Sequence, residues 1–245
     1  MGIVNGFSLE QCYLNSALNF AGCFVILKWL TFYPSVLIIY NHHNMKTKIT
    51  LLILLLTICM CTFAQEQWEL SKDDNGIKVY TANMLNSNFK SVKVECILEG
   101  TIDKLVAVLK NVDGNKHWVY NTKQTHLVKN ISDHEFIYYA ETSLPWPLRN
   151  RDMVINMLFD QDSAAHRLTV KATGVKDEAP EQDGKVRVPY FNGLWEVTTT
   201  DDQHISIHYR LSVDPGGSVP AWAYNMFVSK GPYKTFNNLA GLLRE

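Results

Sequence analysis

The spacing of apolar positions changes repeatedly along the last three-quarters of this chain, and each change predicts an element. Asp74-Asn75-Gly76 is a turn signal, and the IKVYTA run after it reads as a short strand. Phe89 to Leu98 alternates polar and apolar residues, again as a strand does. At Thr101 the period becomes helical: Thr101 is a cap, and Ile102, Leu105, Val106 and Leu109 share one face. HLVKNIS and HEFIYYAET predict a hairpin around Ser132-Asp133. DMVINMLF and HRLTVKATG follow as strands, then the acidic loop KDEAPEQDG, then strands near GLWEVTTT and HISIHYRLSV. Asp214-Pro215-Gly216-Gly217 is a strong stop.

Beyond that stop, Ser218 can cap a helix with Pro220 in its first turn. Val219, Trp222, Ala223, Met226 and Phe227 form one apolar stripe, which Tyr233, Phe236, Leu239, Ala240 and Leu243 continue. Gly231-Pro232 predicts a kink, because proline removes a helical hydrogen bond and clashes with the preceding turn. The order of elements predicts an α+β domain, one antiparallel sheet with a long, kinked C-terminal helix packed across it.

The first 64 residues follow a different pattern. Met45 opens a short charged region with Lys46 and Lys48, then an apolar stretch from Ile49, then Thr62-Phe63-Ala64. This is the plan of a signal peptide over 45–64, with cleavage expected after Ala64. Residues 1–44 read either as an over-extended start ahead of a true Met45 or as a membrane segment, since Ala17 to Tyr40 is apolar apart from Lys28. The domain over 65–245 is therefore expected to be exported, periplasmic or extracellular, and membrane-anchored if residues 1–44 are made.

Composition then removes several kinds of chemistry. Of the 245 residues 47% are hydrophobic, enough for a sizeable core, and the formal charge of −1 argues against a nucleic-acid partner. Without Lys28, Lys46, Lys48 and Glu10, the 23 basic and 24 acidic residues fall to 20 and 23, so the exported part stays slightly acidic. Its single cysteine, Cys96, lies in an alternating strand and reads as a small buried hydrophobe rather than a nucleophile or metal ligand. His204 and His208 sit four apart in a strand, about 13 Å at strand rise, too far to share an ion. No metal or cofactor is expected, and no nucleophile elbow or phosphate loop is present.

The aromatic residues suggest more. Trp118, Tyr138, Trp195, Tyr209 and Trp222 are large amphipathic rings for one sheet-and-helix domain, and with Met226 they are candidates to line a cavity. Core filling is the alternative for each of them.

Several ordered motifs are similar to one family. They are Trp68 with Gly76-Ile77-Lys78-Val79-Tyr80, His117-Trp118 after the first helix, and Glu141 followed by Pro145-Trp146-Pro147-Leu148 and Asn150-Arg151-Asp152. They continue with Tyr209 five residues before Asp214-Pro215-Gly216-Gly217, and with Val219-Pro220 and Trp222. Residues 65–245 resemble a START domain, the StAR-related lipid-transfer family. The resemblance implies a helix-grip fold, a curved antiparallel sheet wrapped around the long C-terminal helix and enclosing a hydrophobic tunnel for one lipid. It implies a non-catalytic lipid-binding or lipid-transfer protein, monomeric, with transient membrane contact. It also implies that Arg151 points into the tunnel toward the polar end of the lipid, with Glu141 as its partner.

Two departures leave the ligand open. Leu144 stands where phosphatidylcholine-binding relatives carry a tyrosine, and Met157 where sterol-carrying relatives carry a second arginine. Ser218 stands where membrane-docking members expose a tryptophan, and the loop over 176–184 is acidic. Two other readings remain: a cyclase- or aromatase-like enzyme in which Arg151 polarises a substrate and Glu141 deprotonates it, and a purely structural domain. Within Leu144 to Asp152, Trp146 is expected to pack beside the proline turn, and Arg149 and Asp152 to be structural or solvated.

Overall fold

A computed structural model describes residues 67–84, 89–220, 224, 228 and 230–244. The chain divides into units at Met1–Gln65 and Glu66–Glu245, and all the described residues belong to the second. The expected leader and membrane segment, and the side chains of Trp222 and Met226, lie outside the described residues.

Among the described residues ten strands form one sheet: β1 (Glu69–Asp74), β2 (Ile77–Asn83), β3 (Lys90–Glu99), β4 (Thr122–Ser132), β5 (Glu135–Thr142), β6 (Arg151–Asp162), β7 (Arg167–Gly174), β8 (Val186–Arg187), β9 (Tyr190–Asp201) and β10 (His204–Asp214). Their order is β1-β2-β3-β10-β9-β7-β6-β5-β4, with antiparallel neighbours throughout; short β8 pairs parallel with β6. Among the described residues three α-helices accompany it: α1 (Ile102–Lys110), α2 (Asn115–Trp118) and α3 (Gly231–Arg244).

The alternation read from the sequence is the alternation observed. Val79, Val94, Leu168, Val170, Val197, Ile205 and Ile207 are fully buried on one face of the sheet. The same core takes in Leu105 and Leu109 of α1 and Phe236, Leu239 and Leu243 of α3. Thr101 caps α1 as expected, its Oγ1 accepting from the Lys104 N–H at 3.2 Å. Cys96 is buried in this core, and its desolvated thiol is pushed up to about 12, so it remains an unreactive thiol.

The helical geometry changes beside Gly231-Pro232, where the sequence predicts a kink. Val228 and Lys230 have π-helical geometry, and α3 starts at Gly231-Pro232 immediately after them. Phe236 on α3 stacks at 5.2 Å on Trp195 of β9 and packs at 5.4 Å on Tyr209 of β10, fixing the helix over the middle of the sheet. Leu239→Ala, at a site with no exposure, is expected to lower unfolding stability by about 2–5 kcal/mol. Thr101→Ala, which removes only the cap, should cost about 1 kcal/mol. Denaturant midpoints with unchanged slopes measure both.

Candidate functional site

A cavity of about 290 Å³ lies between the sheet and the C-terminal helical segment. Its wall follows strand alternation. Tyr138, Ala140 and Thr142 line it from β5; Arg151, Met153, Ile155 and Met157 from β6; Trp195 from β9; and Tyr209, Leu211 and Val213 from β10. Trp118 enters from α2, held by its indole N–H donating to Asn115 Oδ1 at 3.2 Å. The helical side supplies Tyr224, Val228, Thr235 and Phe236. Of the residues expected to meet a guest, Trp118, Tyr138, Arg151, Trp195 and Tyr209 are thus brought together.

Tyr138 and Tyr209 are half-buried, and burial pushes both phenols well above the ordinary tyrosine value, so both are neutral. Tyr209 also feels its neighbour, since ionising Tyr138 would raise it further. Trp195 and Tyr209 pack at 4.5 Å.

Arg151 is almost fully buried and ends in the cavity wall. Its guanidinium is held by three backbone carbonyls: Nε donates to Pro215 at 3.2 Å, Nη1 to Arg149 at 2.7 Å and Nη2 to Gly216 at 3.0 Å. The Asp214-Pro215-Gly216-Gly217 stop is therefore also a cradle. Gly216 and Gly217 both take φ near +60° (+67° and +61°), which turns the chain around the guanidinium. A side chain at Gly216 would meet Pro189 Cδ at 3.0 Å.

The expected pairing of Arg151 with Glu141 is corrected by the register. Thr142 stands opposite Arg151, and Glu141 stands opposite Asp152, so Glu141 and Arg151 face opposite sides of the sheet. Glu141 is buried on the outer side, away from the cavity lining. It binds Lys185 at 2.8 Å, Asn150 Nδ2 at 2.6 Å and Lys123 at 3.2 Å. Its role as the base of an enzymatic reaction falls for the same reason.

Asp152 is structural as expected, and buried rather than solvated. Arg187 grips it with two bonds, Nε to Oδ1 at 3.2 Å and Nη2 to Oδ2 at 3.0 Å, and donates further to the carbonyls of Ala179 and Pro180. Arg149 is exposed. Trp146 does not pack beside its turn: it is 90% exposed, in a turn whose Trp146–Pro147 peptide is cis.

Two of the residues that matter here, Lys185 and Arg187, gave no sequence signal of their own. They close the acidic loop and run it as β8 along Arg151 and Asp152, so the loop is latched to the outer face of β5 and β6. Lys185 also donates to the Tyr139 hydroxyl at 3.0 Å. The one signal available was two cations following an acidic stretch, eight and ten residues after its first acid, Asp177.

The chain belongs to the START domain family: that family's model matches residues 56–244. An uncharacterised Pseudomonas aeruginosa protein is 27% identical over 177 residues, covering 71% of this chain and 85% of its own. The phosphatidylcholine transfer protein of Mus musculus is 26% identical over 168 residues, covering 67% of this chain and 78% of its own. A crystal structure of a STAR-related lipid transfer protein fragment from Xanthomonas axonopodis superposes with a TM-score of 0.66 at 32% identity, over 73% of this chain and 99% of that one. Human STARD10 shares the fold with a TM-score of 0.64 at 20% identity, over 77% of each chain.

The latch has a signed pH dependence. Burial alone would raise the Glu141 carboxyl, but hydrogen bonds from Lys185, Asn150 and Lys123 outweigh it and hold the group below its ordinary 4.5. Its contribution is complete above pH 4.5 and is lost as pH falls through the lower folded value. The hydrogen bond to Glu141, then that to Tyr139, raises Lys185 above its ordinary 10.5, so its contribution is complete below that pH and lost above the folded value. Lys185→Met is expected to cost about 2 kcal/mol at pH 7. The difference from wild type should shrink as the pH falls through the folded value of Glu141, as read by urea midpoints at each pH.

Proposed function

We propose that this protein binds one hydrophobic, lipid-like molecule in the cavity between the sheet and the C-terminal helix, and carries it without chemically changing it. The observation that carries this reading is the wall itself, apolar side chains around one buried, positively charged arginine. Such a wall removes an acyl chain or ring body from water, at about 25 cal/mol per Å² of apolar surface. Its few polar groups fix the orientation of the guest. The transfer proteins named among its relatives support the same reading.

Absence of catalysis is part of this proposal. Among the described residues the lining holds no Asp, Glu, His or Cys. Three tyrosines of the lining, Tyr138, Tyr209 and Tyr224, are raised by burial, which makes each a poor partner in proton transfer near neutral pH. The protein would act as a monomer, touching membranes transiently to load and unload, with no nucleic-acid partner. The latched acidic loop is a poor gate, so guest entry is assigned to the π-helical turn at Val228 and Lys230 beside Gly231-Pro232. The signal pattern over 45–64 supports a site of action outside the cytoplasm, and the mass of the mature N-terminus in the producing cell tests that reading.

Lipid extracted from the purified protein and identified by mass spectrometry is expected in near-stoichiometric amount. Ala140→Phe, which fills the cavity, should reduce uptake by roughly 10-fold or more while leaving the cooperative unfolding transition in place. Wild-type protein that is free of lipid and takes up none from a mixed panel would overturn the reading.

A further inference from the structure

The chemical class of the guest can be argued from the charges that surround it, and this step rests on the lipid-binding reading above. Arg151 has five N–H donors, and backbone carbonyls take three of them. The carbonyls supply hydrogen bonds but no compensating negative charge. Among the described residues no carboxylate lies within ion-pair distance of Arg151 and none lines the cavity. The neighbouring acids are committed elsewhere: Glu141 to Lys185, Asp152 to Arg187, and Asp214 Oδ1 to the Gly216 N–H at 2.9 Å. The sequence of 221–229 contains no acidic residue, nor does that of 85–88. Burial and the nearby Arg149 both push Arg151 down, and no carboxylate holds it up.

A cation buried at an apolar wall with donors to spare is costly unless something negative meets it. Arginine's planar fork suits a carboxylate or phosphate, and the low dielectric of the cavity strengthens that pairing. A quaternary ammonium head fits poorly. It would be repelled by Arg151, and the faces of Trp195, Tyr209 and Phe236, three of the lining aromatics, are packed on one another at 4.5–5.4 Å. The volume, about 290 Å³, sits at the lower end of the roughly 300–1,000 Å³ of ordinary ligand cavities. It suits one chain or ring body rather than two long chains with a large head.

We propose that the guest is an acid: a compact, single-bodied amphiphile whose one anionic head, a carboxylate or a phosphate monoester, is set against the guanidinium of Arg151. Tyr138 and Tyr209, both neutral donors, lie farther along the same wall and are available to a second oxygen on the body of the guest.

The full chain, stripped of lipid, is titrated with hexadecanoic acid, its methyl ester, hexadecyl phosphate and a lysophosphatidylcholine of the same chain length. The acid, the phosphate or both are expected to bind at least about 10-fold tighter than the ester and the lysophosphatidylcholine, and the tighter of the two names the head. Arg151→Lys should keep this preference, and Arg151→Gln should reduce it to within about 3-fold while ester binding persists. Equal binding of acid and ester by wild type overturns the charge assignment and leaves the lipid-binding reading standing. Failure of all four to bind overturns the acid assignment, and uptake from the mixed panel above then decides the lipid-binding reading separately. Because the ester comparison is made on wild type, the outcome does not depend on the variants folding.

Discussion

Arg151 and Asp152 are neighbours in the chain and lie on opposite sides of the sheet, and most of what distinguishes this site follows from that pair. Strand alternation sends the guanidinium inward to the cavity and the carboxylate outward to Arg187. Across the register Thr142 joins the inner side and Glu141 the outer one. The two buried ion pairs on the outer face hold β8 and the acidic loop in place. β8 in turn sits against Gly216, whose carbonyl holds Arg151. The inner charge is therefore positioned by outer charges that never reach the cavity.

This arrangement separates two jobs that a single buried arginine–carboxylate pair would merge. A carboxylate beside Arg151 would neutralise it and leave a guest only hydrogen-bonding to do. Carbonyls orient the guanidinium while leaving its charge to the guest, and charge-assisted bonds are roughly twice as strong as neutral ones. The methionine, isoleucine, leucine and aromatic side chains of the wall supply burial without direction. Shape and the buried charge of Arg151 together then set what enters.

Much of this was legible in the chain. Period-two runs gave the strands, Thr101 the first helix start, and Gly231-Pro232 the place where helical geometry changes, because each depends on local chemistry. Arg151 was legible through its motif. Glu141 was misplaced because its face depends on register across an eight-residue connection, from Ser143 to Asn150, and sequence does not state register. Trp146 was expected to pack because tryptophan usually does, whereas its turn projects it into solvent. Lys185 and Arg187 were invisible for a different reason: they act from a loop, and their acidic partners are 44 and 35 residues away in the chain. Asp214 to Gly217 was read as a stop, and its second use, as the cradle of Arg151, is a matter of carbonyl direction that composition does not carry.

The most direct test of the account is a crystal structure of the protein with the lipid that accompanies it from the cell. The account predicts one continuous ligand between the sheet and the C-terminal helix, with an oxygen of its polar end within hydrogen-bond distance of the Arg151 guanidinium. It also predicts Glu141 still bound to Lys185 on the far side of the sheet. A ligand whose polar end turns away from Arg151, or a Glu141 swung inward to pair with that arginine, would contradict it.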